Sequence, residues 1–184
     1  MQDFWVFGYG SLMWRPGFPY VKRLSARLYG MHRSLCIYST VHRGTPQKPG
    51  LVLGLDRGGS CRGIAYQVAL ENVEQTIAYL REREQVTKVY HEVTRPIRLH
   101  GKTDRVVPAL FYIVDRNHQQ YAGRLSPEAQ VKFVSQGIGK SGANPEYVHS
   151  SVEHLMEMGV RDRPLERLNS LIKSKADIGE KDSG

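Results

Sequence analysis

The chain is poor in cysteine. Two in 184 residues, Cys36 and Cys61, are too few for a disulfide framework, so the fold must stand on its own core. Both read as reduced thiols, and Cys36, in an apolar strand-like stretch, is placed to pack as a small hydrophobe. Long apolar runs are missing too. Residues 5–7 and 109–114 are among the longest, far short of the roughly 20 a membrane helix needs. The N-terminus lacks a basic stretch followed by an apolar one, the pattern of a secretory signal. The expected compartment is therefore the cytosol, with no membrane partner.

Several common site patterns are incomplete. The seven histidines (His32, His42, His91, His100, His118, His149 and His154) include no i, i+4 pair, and neither cysteine stands near enough to help, so no metal site is expected. A dinucleotide fingerprint starting at Gly8 lacks its third glycine, replaced by Met13. A nucleophile elbow on Ser11 would need glycines where Tyr9 and Met13 stand. A phosphate loop ending at Ser141 would need a glycine at Val134. No internal repeat, helix-turn-helix or aromatic-basic pattern of an RNA-binding sheet is visible, which argues against a nucleic-acid module.

Acidic residues are scarce at one end. Residues 1–60 hold eight Lys and Arg against Asp3 and Asp56, while residues 161–184 hold six against five. Much of the net charge of +8 thus belongs to the first third. A pocket for an acidic small molecule, a nucleic-acid surface and a solvated face all fit this surplus.

What is present reads as strands first and helices later. Residues 4–9, 34–38, 51–55, 63–68, 87–99 and 107–114 carry strand patterns, separated by turn-rich segments at 15–19, 45–50 and 56–60. Residues 107–114 are apolar on both faces. Helices are expected at about 71–84, 126–136, 145–158 and 164–174, with Ser126-Pro127 and Asn144-Pro145 as N-cap and first helical residue. The fold class is α+β: a bent sheet or small mixed β-barrel with flanking helices. One domain over residues 1–175 and a flexible tail over 176–184 suit the length and the loss of periodicity at the end.

Two local patterns carry chemistry. In the helix at 71–84, Val73, Ile77 and Leu80 recur at i, i+4 and i+7 and mark the buried stripe. At about 100° per residue, Glu84 lies about 20° from Val73, whereas Glu82 lies about 180° away. A sheltered carboxyl has a raised pKa and suits a group that takes and returns a proton. The alternative is a helix that ends by Arg81, with Glu84 at the surface or paired with an arginine. The second pattern is the glycine turn after the first strand. Gly8 and Gly10 open backbone angles closed to other residues, and successive N–H groups there can converge on an anion or an oxyanion. A turn that serves only the fold reads the same way.

Residues 5–14, with Tyr-Gly-Ser-Leu at 9–12, resemble the opening of the ChaC-type γ-glutamyl cyclotransferases. The likeness continues at residues 17–20, 39–46, 48–50, 63–66, 79–84 and 139–147, covering about 4–160. It implies a small β-barrel with flanking helices and an enzyme that needs no cofactor. The implied reaction cleaves glutathione to 5-oxoproline and Cys-Gly. By the resemblance, Tyr9, Gly10, Ser11 and Leu12 anchor substrate and Glu84 is the acid/base. Tyr147 is a late aromatic contact, and Arg43 lies near the pocket. Two departures stand out: Val41 replaces an Asp, and the segment after Glu84 lacks a Gly-Gly. Alternatives are a cyclotransferase for other γ-glutamyl amines or dipeptides, or a non-catalytic regulator on the same fold. A monomer or weak homodimer is expected.

Overall fold

The computed structural model describes residues 4–84, 88–101 and 104–181. Strands β1 (Phe4–Gly8), β2 (Lys22–Ser39), β3 (Gly50–Val68), β4 (Tyr90–Leu99) and β5 (Arg105–Val114) close into a barrel in the order β1-β3-β2-β4-β5. β1 lies antiparallel to β3, with Phe4 opposite Val68 and Gly8 opposite Ile64, and parallel to β5, with Val6 opposite Leu110. β4 and β5 form an antiparallel pair from Tyr90–Val114 to Leu99–Arg105. The expected α+β barrel is the fold observed.

The period of two in the strands explains what fills the barrel. Trp5 and Phe7 of β1 and Ala109, Phe111 and Ile113 of β5 point into one cluster with Ala26, Leu28, Leu55, Ala65, Ile97 and Leu99. The alanines make room for the large rings, and Phe7 meets Phe111 edge-on at 5.9 Å. The intervening residues of β5 differ in fate: Pro108 is exposed, whereas Leu110 and Tyr112 are buried. Around those two positions β5 is apolar on both faces, as its sequence suggested.

Two strand expectations need correction. Residues 56–60, expected as a turn, lie inside β3. Gly58 (φ +100°) and Gly59 (φ +66°) let the strand bend there without ending it. Residues 34–38 are only the end of β2, which begins at Lys22. Its first half alternates buried Ala26 and Leu28 with basic residues, a weaker apolar signal than the continuous run that follows. The strand expected over 87–99 is β4 from Tyr90, and residues 85–87 lie outside the described residues.

The chain divides into two compact units. The first runs through Ser34 and resumes over Gly54–His118. It holds α1 (Val73–Glu84), preceded by a single 3-10 turn at Leu70–Asn72. The second comprises Leu35–Leu53 and the chain from Gln119 onward. It contains α2 (Pro127–Gln136), the short hairpin β6 (Ile138–Gly139) and β7 (Gly142–Ala143), α3 (Asn144–Glu157) and α4 (Arg163–Lys181). Ser126 caps α2 as expected, its hydroxyl accepting from the Ala129 N–H at 3.2 Å. Helix α4 runs to Lys181, beyond the expected 174.

Asn144 does not cap α3. Ala143 holds that position, and Asn144 is the first residue of the helix, wholly buried. Its Oδ1 accepts from the Leu51 N–H at 2.6 Å, and its Nδ2 donates to the Leu51 carbonyl at 2.8 Å. Both main-chain groups of a buried strand residue are thereby satisfied, a stronger demand than a cap. Asn144→Ala leaves that donor and acceptor unpaired and should cost about 2–4 kcal/mol of stability. Urea unfolding reads this as a lowered midpoint, and a loss under about 1 kcal/mol would show that the amide is not structural.

Candidate active site

β1 ends at Gly8 because the chain turns back on itself. A Cβ at Gly8 would stand 3.0 Å from the Leu12 Cβ, so any larger residue would crowd the following 3-10 turn, Ser11–Met13, where it folds against the strand end. Gly10 precedes that turn, and a Cβ built there meets nothing within 4 Å. Its missing side chain leaves the main chain open to a ligand. Met13 N–H bonds to the Gly10 carbonyl at 2.8 Å, and Arg15 N–H to the Ser11 carbonyl at 2.8 Å. The N–H groups of Ser11 and Leu12, first in the turn, have no acceptor within it.

Two side chains hold the turn from behind. The buried Tyr66 hydroxyl shares its hydrogen between the carbonyls of Leu12 (3.0 Å) and Met13 (2.7 Å). Burial pushes the Tyr66 phenol upward, so it stays a donor. Arg33 donates from Nε to the Tyr9 carbonyl at 2.5 Å and from Nη2 to the Arg62 carbonyl at 2.7 Å. Tyr9 is buried in the barrel cluster, Leu12 is buried, and Ser11 is exposed.

Helix α1 reaches Glu84, so it does not stop at Arg81. Its buried face centres on Thr76 and Leu80; Val73 and Ile77 are half-buried. The polar Thr76 was invisible to an apolar count, and including it turns the stripe slightly without removing Glu84 from its edge. The Glu84 side chain is 17% exposed. Burial raises its carboxyl above the ordinary range, and the Arg83 guanidinium, 3.4 Å away through Nε, pulls part of the way back.

The same guanidinium reaches the glycine turn. Arg83 Nη2 donates to the Ser11 hydroxyl at 2.8 Å, and Nη1 donates to the Arg15 carbonyl at 2.8 Å and the Tyr79 hydroxyl at 2.9 Å. One cation therefore touches both Ser11 and Glu84. Nearby, Arg81 of α1 grips Glu92 of β4 with two hydrogen bonds, at 2.9 and 2.8 Å, and the Tyr112 hydroxyl of β5 donates to the same carboxylate at 2.9 Å. That network ties the last turn of α1 to the barrel wall. Burial, then Glu92, raises the Tyr112 phenol, and Glu84 adds to the shift.

Glu84 and Ser11 are thus linked through Arg83 in the first unit. Arg43 and Tyr147 meet in the second, where the Arg43 guanidinium lies 5.3 Å over the Tyr147 ring and donates to the Ala143 carbonyl at 3.2 Å. The Tyr147 hydroxyl accepts from the Leu53 N–H at 3.1 Å. Val41 is exposed, and its carbonyl accepts from the Lys140 N–H. The sequence reading missed Arg83, Tyr66, Arg33 and the Arg81–Glu92–Tyr112 network. Each joins residues far apart in the chain, where local periodicity carries no signal. Among the described residues no group of three or more His, Cys, Asp or Glu is arranged to hold a metal. No described helix is long and apolar enough to cross a membrane.

Comparisons with known proteins agree with this architecture. The family model described as ChaC-like protein matches residues 4–175. A glutathione-specific gamma-glutamylcyclotransferase of Escherichia coli strain K12 is 33% identical over 170 residues, spanning 92% of this chain and 71% of the bacterial protein. Glutathione-specific gamma-glutamylcyclotransferase 1 of Homo sapiens is 35% identical over 149 residues, 80% of this chain and 67% of the human one. The crystal structure of the selenomethionine-labelled glutathione-specific enzyme from yeast superposes with a TM-score of 0.84 at 24% identity, covering 95% of this chain and 97% of that one, and so shares the fold. A closed five-stranded barrel, a glycine turn at the end of its first strand and a match across nearly the whole chain place this protein in the ChaC-like family.

Proposed function

We propose that the chain is a γ-glutamylcyclotransferase that cleaves glutathione to 5-oxoproline and Cys-Gly, with Glu84 as general acid/base. The observation that carries the site assignment is the shared guanidinium: Arg83 contacts Ser11 of the glycine turn and Glu84 at once. The similarity to enzymes named for glutathione supports the substrate. The two buried cysteines, Cys36 and Cys61, suit the reducing cytosol, the compartment proposed for the reaction.

The substrate brings its own nucleophile. The α-amine of the γ-glutamyl group attacks its own γ-carbonyl, a carbon–nitrogen bond forms, and a five-membered ring closes. The bond from the same carbon to the departing nitrogen then breaks. Holding amine and carbonyl together gains the advantage of an intramolecular reaction. Glu84, as carboxylate, takes a proton from the attacking amine and returns one to the leaving nitrogen. The Ser11 and Leu12 N–H groups are the donors assigned to the tetrahedral oxyanion, each worth roughly 3–4 kcal/mol of barrier in such a role. Gly10 leaves the approach open, and Tyr9 holds the turn to the barrel. No step calls for a metal or cofactor.

Incubation with glutathione should release 5-oxoproline, and γ-glutamyl-alanine offered in parallel tests the wider γ-glutamyl range. Glu84→Gln should lower kcat by about 10²–10⁴-fold while KM changes little. A variant within about tenfold of wild type, roughly 1.4 kcal/mol of barrier, would refute the assignment.

The raised Glu84 carboxyl also makes a stability prediction. The folded protein holds that proton to higher pH than the unfolded chain does. Below the ordinary carboxylate range both states are protonated and the group has no effect. As pH rises from that range through the raised value, wild type loses stability that Glu84→Gln keeps. The variant should therefore unfold at a higher temperature than wild type at about pH 8, by a margin that shrinks toward about pH 4. Thermal unfolding at the two pH values measures it, and a margin that grows on acidification would reverse the burial argument.

A further inference from the structure

We propose that Arg83 is a positioning residue for this reaction, fixing the Ser11 hydroxyl as a donor toward substrate and the Glu84 carboxylate beside it. The inference rests on the functional reading above and adds a residue that reading did not assign. Arg83 is donor-only, since a guanidinium stays protonated and has no acceptor. Ser11 Oγ accepts from it at 2.8 Å. A hydroxyl has one hydrogen, and with Arg83 facing its lone pair that hydrogen points elsewhere. Ser11 is exposed, and the space beside Gly10 is open. The hydroxyl hydrogen is thus left to donate to a γ-glutamyl carbonyl or carboxylate brought beside the turn.

The guanidinium is itself held. Nη1 is engaged by the Arg15 carbonyl and the Tyr79 hydroxyl, and the Tyr79 ring lies 6.0 Å below the cation. Tyr79 is wedged in turn. Its hydroxyl sits where a Gly17 Cβ would be, Gly17 has φ +75°, and Phe18 meets the Tyr79 ring edge-on at 6.3 Å. Lysine could supply the charge but not a planar fork that reaches three acceptors at once.

The charges facing Glu84 can be named element by element. Arg83 is its cationic neighbour on α1. Tyr112 of β5 is the titratable group across from it, and Glu92 of β4 is neutralised by Arg81. Removing the Arg83 charge leaves burial unopposed at Glu84.

The test compares Arg83→Met, Arg83→Lys, Ser11→Ala and the Ser11→Ala/Arg83→Met pair. Arg83→Met should lower kcat by about 10²-fold with KM within a few-fold, and move the acid limb of the kcat profile to higher pH. Arg83→Lys should bring the acid limb back but not kcat, separating the charge from the fork. The double variant should be no slower than the slower single, because both act through one contact. A KM rise at unchanged kcat would instead make Arg83 a direct ligand of substrate and overturn the proposal. So would an unmoved acid limb, or additive losses. Thermal unfolding of Arg83→Lys guards against a folding defect. Should wild type release no 5-oxoproline from any γ-glutamyl compound, the functional reading fails separately. Carboxyl-carbon NMR of Glu84 still decides whether Arg83 holds it: an upward-moved midpoint in Arg83→Met supports the contact, and an unmoved one overturns it.

Discussion

A carboxyl group kept out of water within reach of a guanidinium is the constraint on which the site depends. Burial by itself disfavours the charged form of Glu84, because a lone buried charge costs several kcal/mol. Tight pairing alone would leave it ionised and unable to give one back. At Glu84 the two act together and burial is the larger. The contact to Arg83, 3.4 Å from Nε, is an ion pair looser than a hydrogen bond and moderates the group without claiming it. Shuttling a proton between two nitrogens needs this intermediate character.

The barrel supplies the stiffness. A closed sheet has no free edge to slide along, and its strand ends are therefore dependable points of attachment. β1 delivers the glycine turn from one such end, and Tyr66 of β3 and Arg33 of β2 grip that turn through its carbonyls. α1 is attached separately, through Arg81 to β4 and through Arg83 to the turn. The distance between the glycine turn and Glu84, the proposed oxyanion donors and acid/base, is thus set by strands and a helix, whose hydrogen-bond ladders are less compliant than loops. In the proposed reaction the substrate supplies the nucleophile, so positioning is most of what the protein has to provide.

How much of this was legible in the sequence depends on whether a signal is local. The Glu84 stripe was readable because helical periodicity ties neighbours three and four residues apart, and the helix does reach that residue. The glycine turn was readable because Gly8 faces a residue only four positions on. β2 was readable only at its apolar end, since basic residues on its outward face hid the alternation in its first half. The break expected at residues 56–60 failed because glycines mark bends as well as ends. Asn144 misled because a cap and a strand tether use the same side chain, and only the position of Leu51, 93 residues away, decides between them. Arg83 meets Ser11 across 72 residues, a pairing that no local pattern announces.

Glu92 shows what separates a structural carboxylate from the proposed acid/base in the same corner of the fold. It stands on a barrel strand near Glu84, yet two hydrogen bonds from Arg81 and one from Tyr112 hold its carboxyl below the ordinary range, with the Arg81 bonds the main cause. Its oxygens are occupied, and protonating it would break those contacts, so it serves as an anchor. Glu84 has the opposite balance: sheltered, with one cation at ion-pair distance and a pKa pushed upward. Two carboxylates whose surroundings drive their proton affinities apart carry different duties, and the one that can change its state cheaply is the one fit for proton transfer. The anchor fixes the end of α1, and the end of α1 fixes Glu84, the proposed acid/base. The strongly paired glutamate thereby makes the weakly paired one useful.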